Sequence, residues 1–415
     1  MTVALRRTFS SLAVPNYRRY FAGQVVSVSG NWMQTVAELW LVVKLTHSGL
    51  LVGLTPAFQF LPILLFGAWG GLLADRMSKR RLLMVTQTLM IAPALTLFVL
   101  YQEGVVVPWM VYALVFVRGC VNAVDNPTRQ SFPIELVGPD RLVNAVSLNS
   151  VIITTGRIVG PAIAGVVIAA AGVGPCFLLN ALSFAAMLAA LAAMNPAELH
   201  RAPRLERNQG QLRGALRHVA ATPGLWIPLG MMVVVGTLSY NFQVLLPLLA
   251  DMTWHGSATT YATLTTAMGV GALLGALEAG HRSRVSPALL VGAALAMGTV
   301  ELIAAGAPTL AAEIAALVPL GALTITFSTG VNSSLQLAVD PALRGRIMAL
   351  YSIVFLGSTP IGAPLVGWMA EAAGPRTGFV LGAVAALVAG IAARAAFARD
   401  GAFDAADPPT AAAHR

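Results

Sequence analysis

The stretch that decides the fold is "GGLLADRMSKRRLL", residues 70–83. One acid, Asp75, and four bases, Arg76, Lys79, Arg80 and Arg81, fall within seven of its positions. Long apolar runs flank it, and only 10% of the 415 residues are charged. A soluble chain of this length would carry about 25%. With 57% apolar residues and a mean hydropathy of +0.76, this chain has too little polar surface to cover a globule in water. A bilayer removes that need, so the sequence reads as an integral membrane protein whose charge is gathered into turns.

A helix needs about 20 apolar residues to cross the hydrocarbon core. Charge, glycine and proline divide the chain into twelve such stretches: 20–44, 49–74, 82–101, 107–128, 143–170, 176–195, 223–249, 258–280, 286–306, 309–334, 346–370 and 376–398. The runs are too long and too uniformly apolar for barrel strands, so an all-α membrane protein of twelve transmembrane helices is expected. Of the 26 Lys and Arg, Arg118 and Arg157 lie within spans, and Lys44 and Arg376 lie on one side. The other 22 share the side of the N-terminus, which places both termini in the cytoplasm. Loop arginines account for the net charge of +9, and nucleic acid is not an expected partner.

The hydrophilic segment "NPAELHRAPRLERNQGQLRGALRH" (195–218) divides the chain after span six. The expected units are a six-helix bundle over 1–195, a basic cytoplasmic linker over 196–221 and a second bundle over 222–398. A polar, proline-containing tail at 399–415 is expected to be disordered. The basic start "MTVALRRTFSSLAVPNYRRYF" has no uninterrupted apolar run ending in a cleavage site, and reads as a retained cytoplasmic segment.

The halves repeat. "GPDRLVNAVSLNSVIITTGRIVGPAIAGVVIAAAG" (138–172) aligns with "DPALRGRIMALYSIVFLGSTPIGAPLVGWMAEAAG" (340–374) at a constant offset. Pro139 falls on Pro341, Leu148 on Leu350, Gly160 on Gly362, Gly165 on Gly367 and Gly172 on Gly374. A weaker echo pairs Gly67 with Gly271 and Gly71 with Gly275. Two parallel repeats with a site between them are one architecture of secondary transporters.

In this setting the opening stretch resembles the loop signature of the major facilitator superfamily, G-x-x-x-D-R-x-G-R-R. It stands here as Gly71, Asp75, Arg76, Lys79 and Arg80, with Ser78 in place of the second glycine and Lys79 in place of an arginine. The resemblance implies that the loop between spans two and three is a gate, latching the two bundles in the outward-facing state. The alternative is a set of positive-inside anchors, which fits Lys79, Arg80 and Arg81 but not Asp75. Gly71 is expected to let a neighbouring helix approach closely.

"GRIVGPAIAG" (156–165) resembles the span-five signature of exporters that exchange cargo for protons: Gly156, Gly160, Pro161 and Gly165 match, and Ala164 stands in for a glycine. Ordinary small-residue helix packing is the alternative. Pro161 is expected to kink the helix, and Arg157 inside this motif costs free energy in the span. Residues 16–165 also resemble the superfamily branch that holds enterobactin and macrolide exporters, the transmembrane secretion effector type.

Ionisable groups at mid-span cost about 2.5–3.5 kcal/mol, so each needs a partner or a wet cavity. Gln24, Ser27, Asn31, Gln34, Thr35 and Glu38 fall within an arc of about 100° on span one, with Val26, Val28, Trp32, Val36 and Leu39 opposite. Such a stripe reads as a cavity wall. The resemblance implies that spans one, four, seven and ten line that cavity. Glu38 is the candidate proton-coupling carboxylate, because an acid in an apolar cavity can take up and release a proton near neutrality. Pairing with Lys44 is its alternative. Arg118, in mid-span four, resembles the superfamily's proton-transfer arginine; otherwise it is a structural partner for an acid such as Glu38. Asp125 and Arg129, one turn apart, read as a local salt bridge. Tyr240 and Asn241 on span seven, and Thr324 and Ser328 on span ten, are further cavity candidates. Glu301, on a span peripheral in the family, is expected at the lipid interface.

The six histidines fall in turns, loops or the tail, no phosphate-binding G-x-x-x-x-G-K-[ST] loop occurs, and the two cysteines lie in apolar segments. No cofactor, metal or enzymatic role is expected. The sequence therefore reads as a secondary transporter, acting as a monomer on a small molecule with protons or sodium as coupling ion. Proton-linked export of an amphipathic compound leads; proton-linked uptake and a non-transporting scaffold are the alternatives.

Overall fold

The computed structural model describes residues 9–200, 218–282, 285–339 and 343–400, and every regular element among them is helical. The first eight residues, linker residues 201–217, Asp340 and Pro341 of the repeat, and tail residues 401–415 lie outside the described residues. Twelve long helices match the twelve apolar stretches. The first six are α1 (Pro15–Thr46), α2 (Gly49–Arg76), α3 (Lys79–Gln102), α4 (Pro108–Ser131), α5 (Leu142–Ala171) and α6 (Gly174–Ala192). In the second half α7 (Pro223–Leu238) resumes as Phe242–Leu248, and α8 (Ala258–His281), α9 (Pro287–Ala305) and α10 (Leu310–Ala338) follow. The chain closes with α11 (Arg344–Gly357, resumed as Thr359–Ala373) and α12 (Pro375–Arg399).

The starts are set by local chemistry. Proline opens α1, α4, α7, α9 and α12, where its missing N–H would have had no helical partner anyway. Ser48, Ser257, Ser286 and Thr309 accept backbone N–H bonds at the starts of α2, α8, α9 and α10. Among the described residues, ten helices are long and apolar enough to cross a membrane. α1 and α4, 32 and 24 residues long, have the length but carry more polar groups. Such helices are tolerated where neighbours or a wet cavity shield them.

The sequence repeat is also a repeat in space. Gly172 and Gly374 end α5 and α11 with φ of 81° and 92°, a conformation that side chains resist. A Cβ added at Gly160 would stand 2.5 Å from Trp32 Cβ on α1, and one at Gly362 would stand 1.9 Å from Thr237 O on α7. One added at Gly165 would meet Ala262 of α8, and one at Gly367 would meet Gly49 of α2. So α5 packs on α1 and α8 as α11 packs on α7 and α2. α5 runs through Pro161 as one helix.

Contacts between the halves gather at the face away from the start of α1 and the end of α12. There Lys44 Nζ lies 2.6 Å from Asp251 Oδ1. Ser48 Oγ donates to Glu371 Oε2 at 2.5 Å, and the Leu50 N–H donates to the same oxygen at 3.1 Å. Trp40 stacks on Tyr261, with centroids 6.2 Å apart. Gly49 and Gly53 lay α2 directly on the backbone of α11 at Gly367 and Ala363. This far face is sealed.

Candidate functional site

Between the halves lies a cavity of two adjoining lobes, about 310 and 320 Å³, which share Trp32, Thr35, Phe60, Ile153 and Gln243. The inner lobe is walled by Tyr240 and Asn241 of α7 and the α7 break, Thr324 and Ser328 of α10, and Arg157 of α5. The outer lobe is walled by Gln24 and Asn31 of α1 and by Arg118, Asp125 and Arg129 of α4. It reaches the exposed Asn126 and Gln130, so the cavity leads toward the face that carries the start of α1 and the end of α12. α2, α5, α8 and α11 complete the wall.

The polar stripe of α1 is divided by this cavity. Gln24, Asn31 and Thr35 line it, as do Val28 and Trp32, which the sequence placed on the opposite side. Ser27, Gln34 and Glu38 are buried behind the wall and line neither lobe. The physical reason lies in the helical wheel. At about 100° per residue the stripe spans one arc, and α4 and α6 cover one edge while the cavity takes the other, together with the next two apolar positions.

The buried edge forms a chain of bonds. Arg118 Nη2 donates to Glu38 Oε2 at 2.7 Å, and Gln34 Nε2 donates to Glu38 Oε1 at 2.7 Å. Asn180 Nδ2 of α6 donates to Gln34 Oε1 at 2.5 Å. Three helices are thereby joined through one carboxylate. Lys44, the other partner open to Glu38 from sequence, pairs with Asp251 instead. A second cluster sits one end further along. Asp125 accepts from Arg129, from Thr86 Oγ1 at 2.5 Å and from Gln87 Nε2 at 2.9 Å, and Arg129 also donates to Gln24. The expected local salt bridge is therefore the centre of a network linking α1, α3 and α4.

Around 156–165, Gly156 and Gly160 seat α5 on Val28 and Trp32 of α1, and the Arg157 guanidinium lies 5.3 Å from the Trp32 ring centroid. In the loop after α2, Lys79 is buried against Glu135 at 2.5 Å, and Arg80 donates to the carbonyls of Leu191 and Ala192 at the end of α6. Both bases are satisfied within the first half. Asp75 and Arg76 are exposed, and Gly71 is half-buried. Next to Gly71 the helices do approach closely: a Cβ at Gly70 would stand 1.9 Å from Ala123 O of α4.

Two features escaped the sequence reading. The first is the break in α7 at residues 239–241, where no glycine or proline interrupts the run. Asn241 Nδ2 there donates to Thr237 O at 2.8 Å, which satisfies a carbonyl that the lost turn exposes, and Tyr240 Oη donates to Thr324 O of α10 at 2.8 Å. The second is Glu301. It is 1% exposed and accepts from Ser239 Oγ at 2.5 Å, with its other oxygen unpartnered. The interfacial position expected for it is wrong, because α9 turns this residue inward onto the α7 break. A uniformly apolar helix carries no stripe to signal that direction.

The sequence profile of the transmembrane secretion effector family matches residues 6–411. The chain belongs to that family, and it is a transporter of the major facilitator type rather than an enzyme. It is 25% identical to macrolide efflux protein A of Streptococcus pyogenes over 87% of this chain and 91% of that one. It is 27% identical to the enterobactin exporter of Citrobacter koseri over 85% of each. Identity is also 27% to the staphyloferrin A transporter of Staphylococcus aureus, over 62% of this chain and 65% of that protein. In fold it is similar to a bacterial homologue of the lysosomal transporter Spinster, crystallised inward-facing and unoccupied. The TM-score is 0.71 at 14% identity, covering 96% of this chain and 99% of that one.

Proposed function

We propose that the chain exports a small amphipathic compound (a drug, siderophore or metabolite) across the cytoplasmic, inner membrane of a bacterium, in exchange for protons. The observation that carries this reading is the cavity between the two halves, sealed at the far face and leading toward the other. With both termini in the cytoplasm, as the distribution of bases favours, the cavity is loaded from inside. Rocking of the halves then breaks the Lys44–Asp251 and Ser48–Glu371 contacts and frees cargo outside. The names of the relatives support export over uptake.

Glu38 and Arg118 suit the coupling step. A proton on Glu38 removes the charge that holds Arg118, and the α1–α4 clamp loosens. Proton binding need shift the balance of states by only a few kcal/mol. The protein works as a monomer on this reading, and Gly71, Asp75, Arg76, Lys79 and Arg80 form the gate that closes when the cavity faces out.

The test is transport into inverted membrane vesicles, with labelled macrolide and enterobactin as first probes. Accumulation that a proton ionophore abolishes is expected. Accumulation only in right-side-out vesicles reverses the direction, and collapse by a sodium ionophore alone replaces the ion. If a triple D75N, E38Q, R118L variant transports as well as the parent, the mechanism fails.

A further inference from the structure

Among the described residues, one cation lining the cavity has no counter-charge. Arg118 is held by Glu38 and Arg129 by Asp125. Arg157 lines the inner lobe, and no Asp or Glu lines that lobe. Among the described residues it makes no ion pair, and its charge rests on the face of Trp32. An arginine in a membrane span is costly unless something compensates it. Stacking on an indole offsets part of that cost and leaves the N–H groups at the edge of the guanidinium free to donate.

We propose that Arg157 is the recognition point for cargo bearing a planar oxyanion, a carboxylate above all. The apolar body of that cargo packs against the aromatic rings of Phe60, Tyr240 and Phe355 around the same lobe. The proposal rests on the cavity being the cargo path. The guanidinium fork matches the two oxygens of a carboxylate, and charge-assisted bonds of this kind are stronger than neutral ones. Two neighbouring donors are already engaged: Tyr240 Oη donates to Thr324 O, and Asn241 Nδ2 to Thr237 O. The position also suits the mechanism. A Cβ added at Gly269 of α8 would stand 3.0 Å from the backbone oxygen of Arg157, so its main chain lies on the seam between the halves, and the lobe it lines is walled by both. An anion bound there touches both halves, and its charge is released when the seam opens.

The test uses the full chain in an uncharged detergent and reads binding by quenching of tryptophan fluorescence. The probes are 2-naphthoate, its carboxamide and 2-naphthylmethylamine, which share one apolar body and differ in charge. The carboxylate is expected to bind about tenfold tighter than the carboxamide, the scale of a charge-assisted hydrogen bond. R157Q should remove that preference, so that carboxylate and carboxamide bind alike. R157K, which keeps the charge and loses the fork, should keep a weaker preference; it serves if R157Q does not fold. The proposal is overturned if the carboxylate binds no better than the carboxamide, if no probe binds, or if R157Q keeps the preference. A further arm adds phosphatidylglycerol. If that lipid stabilises the parent but not R157Q and abolishes naphthoate binding, the anion is a lipid headgroup and cargo recognition is refuted. Binding depends on neither direction nor coupling ion. Vesicle transport can therefore fail while the carboxylate preference stands, and the preference can fail while transport stands.

Discussion

Glu38 and Glu301 are both 1% exposed, one in each half, and they are held in opposite ways. Glu38 carries an arginine, a glutamine and, through it, an asparagine, so that α1, α4 and α6 share one charge cluster. Glu301 has a single partner, Ser239, and one oxygen with none. The first arrangement gives the carboxyl a cation and an amide donor, and the second gives it one hydroxyl donor. Among the described residues the second half has no counterpart of the Glu38–Arg118 pair, and on the proposed reading coupling belongs to the first half.

The sharpest way to break this comparison is R118L. It leaves Glu38 buried without its cation, and a loss of about 3–5 kcal/mol in stability is expected, read as a large drop in the unfolding midpoint in detergent. An unchanged midpoint would mean that Glu38 is already neutral. Next comes the packing of the two repeats. G362A drives a Cβ to 1.9 Å from the backbone carbonyl oxygen of Thr237, whereas G160A meets its nearest neighbours, Trp32 Cβ and Ser29 O, at the longer distances of 2.5 and 2.8 Å. Overpacking costs about 1–3 kcal/mol, and G362A should stand at the upper end with G160A below it. Equal effects would show that α1 is as fixed as α7.

E301Q should cost under about 1 kcal/mol, because the amide oxygen still accepts from Ser239. In vesicles it should keep its response to a pH gradient, while E38Q loses it. The reverse result would move the coupling site to the second half. The smallest effect is expected from K44Q. Lys44 is half exposed, and such a pair is worth about 0–1 kcal/mol. Its signature is instead greater labelling of a cysteine placed at position 265 by reagents from the far side.

The twelve crossings were legible because bilayer thickness fixes helix length, and the bases marked the turns. The repeat was legible because Gly160, Gly165 and Gly172 recur where helices touch or end. What one chain's periodicity leaves open is rotation. The arc on α1 was located, but not which edge meets water, so Ser27, Gln34 and Glu38 went to the cavity while Val28 and Trp32 were left out. Glu301 and the α7 break share a cause: Ser239, Tyr240 and Asn241 form a short polar run whose partners, Thr324 and Glu301, lie 62 to 84 residues away in the chain.

At the sealed face, Gly49, Gly53 and Gly367 bring main chain against main chain with almost nothing between them. A joint built this way has no interlocked side chains to disengage, so α2 and α11 pivot with little friction once the polar clasps beside them let go. The tempo of opening then falls to those few clasps. Any bulky residue introduced into the joint acts as a doorstop, holding the halves ajar however cargo and ions are supplied.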